Sequence, residues 1–148
     1  MTSGNTVRID FHSSLAMLDF IQMISEHLAR TVGLDDDSVH WVTVAVRESV
    51  VNAIKHGNCY DVGKRVHVEF TSLQDKDGLG LGILVRDEGC GFDPSSIADP
   101  LAPENLLKAN GRGIFLMRSF MDEMSFERAE QGGMQVRMVK RVPQSTLA

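Results

Sequence analysis

A chain of 148 residues with 43% hydrophobic and 24% charged content fits one domain with its own core, and no apolar run approaches the ~20 residues needed to span a bilayer. Its 15 basic and 20 acidic residues give a formal charge of −5 with no basic block, which argues against nucleic acid as a direct partner. Cys59 and Cys90 are too few for a disulfide framework, and the start Met1-Thr2-Ser3-Gly4-Asn5 lacks the layout of a signal peptide, so a cytoplasmic location away from membranes is expected.

Val7-Arg8-Ile9-Asp10-Phe11 alternates and predicts a first strand, after which Ser13 or Ser14 can cap a helix running to about Val32. Met17, Phe20, Ile21, Ile24 and Leu28 are expected to form its buried face. Gly33 supplies a left-handed stop, and Asp35, Asp36 and Asp37 place negative charge where the next helix dipole favours it. At ~100° per residue, Glu48, Asn52 and Lys55 of that second helix share a narrow polar arc flanked by Trp41, Ala45 and His56. Val39, Val42, Val46, Val50 and Ala53 occupy the opposite arc, which suits packing. Lys55, His56 and Gly57 end the helix.

Val66, Val68 and Phe70 then alternate with His67, Glu69 and Thr71. The turn Asp75-Lys76-Asp77-Gly78 leads into Leu79, Leu81, Ile83 and Val85, so this is a hairpin. Gly80 and Gly82 leave one face of the second strand bare, as expected where another chain segment comes close. The prolines Pro94, Pro100 and Pro103 rule out one regular element across about 93–110, and a loop of that length is often a lid. Gly113 to Phe120 looks helical, and Met124–Arg128 and Met134–Arg141 read as a closing strand pair around Gly132-Gly133. Adjacent strands in this order predict an α+β fold with a mixed, mostly antiparallel sheet and helices on one face.

Three sites carry candidate chemistry. Asp87-Glu88-Gly89-Cys90-Gly91-Phe92 ends a strand in a glycine turn, where Asp87 can accept from an exocyclic amino group. Asn110-Gly111-Arg112-Gly113 opens a helix and offers free N–H groups to phosphate. On the second helix, the Asn52 side-chain oxygen suits Mg²⁺, and Glu48 one turn earlier can take a proton from a nucleophile. Each feature alone has a bland reading as turn, cap or solvated surface. Neither glycine segment matches a P-loop or a Rossmann fingerprint. Cys59, Cys90, His56 and His67 lack the paired spacing of a metal site. The methionines, among them Met17, Met23, Met117, Met121 and Met124, suit adaptable packing, and Trp41 suits either the core or a pocket border.

Taken together, Glu48-x-x-x-Asn52-Ala53-Ile54-x-His56-Gly57, Asp87-x-Gly89-x-Gly91-Phe92 and Gly111-Arg112-Gly113-Ile114 resemble the three nucleotide boxes of the GHKL, or Bergerat-fold, ATP-binding superfamily. Met121-Asp122-Glu123 resembles a further signature of its anti-sigma-factor serine/threonine kinase branch, of the RsbW type. The resemblance implies a two-layer Bergerat sandwich, residues 1–148 forming a single ATP-binding kinase domain whose lid lies at about 93–110. It implies Glu48 as general base, Asn52 as Mg²⁺ ligand, Asp87 on the adenine amino group, and Gly89, Gly91 and Phe92 beside the ring. Gly111, Arg112, Gly113 and Ile114 would line the phosphates of ATP. Lys55 matches a phosphate-contacting lysine of some members, and His56 is either a pocket residue or only a cap. Gly133-Met134 stands where the family often has Gly-Thr, so weaker or water-mediated adenine anchoring is expected.

None of the five histidines sits on an upstream dimerisation helix, and no residues remain for a transducer domain, which favours the free-standing kinase branch. The partners implied are a STAS-type anti-sigma antagonist as phosphoacceptor, a sigma factor, and commonly a second copy as homodimer. The competing class is a non-catalytic, ATP-gated binding module, and retention of Glu48 speaks against it.

Overall fold

The computed structural model describes residues 2–89, 118–130 and 132–143. Five strands form one sheet: β1 (Thr2–His12), β2 (Arg65–Asp75), β3 (Gly78–Arg86), β4 (Glu123–Arg128) and β5 (Met134–Arg141), in the order β1-β2-β3-β5-β4. Every pairing among them is antiparallel. The predicted α+β class and the β2–β3 hairpin therefore stand, with β1 longer than its alternating stretch suggested.

Two helices, α1 (Leu18–Thr31) and α2 (Asp36–Asn52), cover one face of the sheet. Alternation drives this arrangement, because Val66, Val68 and Phe70 of β2 and Leu81, Ile83 and Val85 of β3 are buried while their neighbours, Gly80 apart, are not. Val136 and Met138 of β5 extend the same layer, and Ile21, Val42, Val46, Val50 and Ile54 fill it from the helix side. Ala45 belongs to this buried set, so the apolar face of α2 is wider than the arc opposite Glu48.

The local signals act as expected at most helix ends. Ser14 Oγ accepts from the Ala16 N–H and caps a 3-10 turn, Leu15–Met17, that leads into α1. Gly33 takes φ +102°, and Asp35 caps α2 by accepting from the Ser38 N–H at 2.8 Å. Close approach explains Gly80, whose added Cβ would lie 2.9 Å from the Lys140 carbonyl, whereas Gly82 would meet only ordinary contacts. No helix among the described residues is long and apolar enough to cross a membrane.

One correction concerns the end of α2. The regular helix stops at Asn52, and Ala53–Gly57 form a π-helical turn in which the Asn58 N–H donates to the Ala53 carbonyl at 2.7 Å. The 100° spacing that placed Lys55 on the arc of Glu48 and Asn52 does not continue through this wider turn. Its cause is Asn58, a buried amide that fixes the exit of the helix. Asn58 Nδ2 donates to Ser13 Oγ at 2.9 Å and to the Arg65 carbonyl at 3.0 Å, while Oδ1 accepts from the Glu88 N–H at 2.8 Å.

Candidate nucleotide site

The site is built where the π turn meets the end of β3. Asp87, only 5% exposed, follows the last residue of β3. Its Oδ1 accepts from the Gly89 N–H at 3.0 Å and from the Met134 N–H at 3.1 Å, and its own N–H donates to the Met134 carbonyl at 3.0 Å. Among the described residues no hydrogen bond reaches Oδ2. Burial pushes the Asp87 carboxyl above the usual carboxylate range, against the pull of the two backbone donors.

Three glycines make room for this carboxyl. A Cβ on Gly57 would lie 2.1 Å from Asp87 Oδ2, one on Gly89 would lie 2.1 Å from the Gly57 carbonyl oxygen, and one on Gly133 would lie 2.1 Å from the Asp87 carbonyl oxygen. Gly133 also holds φ +84°, which side chains rarely adopt. Gly89 is thus demanded by the approach of the π turn, whatever lies above it. A Gly133→Ala substitution is expected to lower stability by about 2–4 kcal/mol, read from urea unfolding, since both the φ and a backbone clash oppose it.

The sequence-derived residues fall into three groups. Glu48 and Asn52 lie one turn apart on α2, both half-buried, so their side chains share a face. Lys55 and His56 are exposed in the π turn that delivers Gly57 to Asp87. Gly91, Phe92, Gly111, Arg112, Gly113, Ile114 and the lid at about 93–110 lie outside the described residues, as do Cys90 and Met117. At Gly133-Met134, which stands where the family often has Gly-Thr, the backbone of Met134 bonds Asp87 through both its N–H and its carbonyl.

Sequence reasoning missed Asn58 and the roles of Gly57 and Gly133. The signals were an asparagine directly after a helix-ending glycine and a glycine pair before the last strand. Trp41 proves half-buried, stacked on Phe120 with ring centroids 3.7 Å apart and planes within 4°.

A helix with an acid and an amide on one face, a strand end with a buried acceptor walled by glycines, and an antiparallel sheet covered by helices place the chain in the α+β class. The chain belongs to the histidine kinase-like ATPase domain family, whose match covers residues 11–140. Among curated proteins it is 27% identical over 128 residues to the serine-protein kinase RsbW of Bacillus cereus, covering 82% of this chain and 76% of that one. It is 25% identical over 141 residues to RsbW of Halalkalibacterium halodurans, with 91% and 82% covered. RsbW of Bacillus subtilis is 28% identical over 126 residues, with 81% and 75% covered. The RsbW-type branch is therefore where its relatives lie. A crystal structure of the RsbU and RsbW domains of Rv1364c from Mycobacterium tuberculosis shares the fold, with a TM-score of 0.62 and 17% identity. That match covers 93% of this chain and 32% of the other.

Proposed function

We propose that the protein is an ATP-dependent serine/threonine-protein kinase that phosphorylates a STAS-type anti-sigma antagonist and, in its free state, binds a sigma factor. The observation that carries the nucleotide part is Asp87. A buried carboxyl with one oxygen saturated by backbone donors keeps its other oxygen for a ligand donor, as an adenine amino group requires. The kinase part is supported by the relatives named serine-protein kinase and by Glu48 one turn from Asn52.

The donor set fits Mg²⁺, because Asn52 offers a neutral amide oxygen and the phosphates of ATP would supply the other oxygens. When bound, the ion neutralises phosphate charge. Glu48 would accept the proton of the attacking serine or threonine hydroxyl as its oxygen bonds to the γ-phosphorus, and ADP would leave. Asp87 would orient the base. Gly111 to Ile114 would line the phosphates, with Lys55 as a further cation.

Incubation with γ-labelled ATP, Mg²⁺ and the STAS proteins of the same cell tests the whole reading. Label on a serine or threonine of one of them is the expected result. ATP binding without any labelled acceptor would instead mark a nucleotide-gated binding module. An Asn52→Ala variant is expected to lose the Mg²⁺-dependent part of ATP affinity, about tenfold, measured by titration with and without the ion. Equal affinities in the two proteins would remove Asn52 as the metal ligand.

A further inference from the structure

The strand end that carries Asp87 has two anchorages. Toward β5 it is held by the Met134 backbone. Toward β2 it is held through Glu88, whose N–H donates to Asn58, whose Oε1 accepts from the Arg65 N–H at 2.8 Å, and whose Oε2 lies 2.8 Å from His67 Nε2. The other ring nitrogen, His67 Nδ1, lies 2.6 Å from Asp10 Oδ1 on β1. His67 thus stands between two carboxylates with its side chain 20% exposed.

A carboxylate offers only acceptors, so both ring nitrogens must donate, and only the imidazolium can do so. The neutral ring has a single N–H. It can keep Asp10 or Glu88, and at the other contact a nitrogen lone pair then faces an oxygen. Further charged or titratable groups share this face: Arg8 and His12 on β1, Arg65 and Glu69 on β2, and Arg86, the cross-strand partner of His67 on β3. Arg8 is engaged with Glu69. The Glu88 carboxyl sits below its usual range, chiefly through its bond from His67 and then that from the Arg65 N–H.

We propose that His67 is a positioning residue of the nucleotide site: clamped between Asp10 and Glu88, it fixes the strand end bearing Asp87 only while both ring nitrogens carry protons. Nucleotide affinity then weakens as the ring loses its charge. This rests on the nucleotide reading of Asp87 given above.

The test is ADP binding by calorimetry at about pH 6 and about pH 8.5 for the wild type, His67→Gln and Asp10→Asn. His67→Gln has no titrating ring, so its trend shows what the nucleotide's own phosphates contribute. Relative to that trend, the wild type is expected to bind about three- to tenfold more weakly at the higher pH, the worth of one hydrogen bond. Asp10→Asn should behave differently from both. Its amide can donate to Nδ1 of a neutral ring whose Nε2–H still reaches Glu88, so, relative to the His67→Gln trend, the variant should hold the wild type's low-pH affinity at both pH values. Parallel trends in the wild type and His67→Gln, or a wild-type pH dependence retained in Asp10→Asn, would overturn the clamp. Absence of ADP binding by every protein at both pH values would overturn the nucleotide reading itself, and the clamp with it.

Discussion

A Glu48→Gln variant is expected to lose phosphoryl transfer by about 10²–10⁴-fold while still binding ATP. The change keeps the size and shape of a half-buried side chain on α2 and removes only its ability to accept a proton. Binding should be spared because Asp87 and Asn52, the groups proposed to hold base and metal, are untouched. Label transfer to the STAS acceptor, measured beside equilibrium ATP binding, separates the two effects. Transfer that survives in Glu48→Gln would remove Glu48 as the base.

Asp87→Asn is expected to weaken nucleotide binding about a hundredfold without weakening the fold. Asp87 Oδ1 receives two backbone N–H donors, so the oxygen of the new amide must take that place and its NH₂ must take the place of Oδ2. A donor then faces the adenine amino group. The effect on stability has the opposite sign. Burial raises the Asp87 carboxyl above its unfolded value, so its contribution favours the fold fully at acid pH and is lost as pH rises through the folded value. The amide carries no such penalty. Urea unfolding should show Asp87→Asn at least as stable as the wild type at neutral pH, with the difference shrinking toward acid. A variant that binds nucleotide normally would disprove the adenine role, whatever its stability.

The parts of the fold that were legible in the sequence are those decided by neighbours along the chain. Gly33 stops a helix and Asp35 starts the next because the relevant backbone groups lie within four residues. The β2–β3 hairpin follows from alternation on both sides of Lys76-Asp77. The π turn was not legible, since periodicity assumes one helical pitch and Asn58 overrides it through partners 45, 7 and 30 residues away. The same holds for the site. Asp87 could be singled out from its place at a strand end, but the wall formed by Gly57, Gly89 and Gly133 exists only after three distant segments converge. The Gly133-Met134 pair illustrates the difference, because a missing hydroxyl is visible in sequence and a backbone pairing with Asp87 is not.

The stack of Trp41 on Phe120 has a practical side. Trp41 is the single tryptophan of the chain, and it joins α2, which carries Glu48 and Asn52, to the residues that lead into β4. Lys140 of β5 fastens that junction from below by donating to the Phe120 carbonyl at 2.7 Å. The protein therefore contains one tryptophan, in ring contact with Phe120 and His40, at the seam between α2 and the closing hairpin. Its emission needs no label and belongs to one place in the molecule, so the integrity of that seam can be followed in every variant named above.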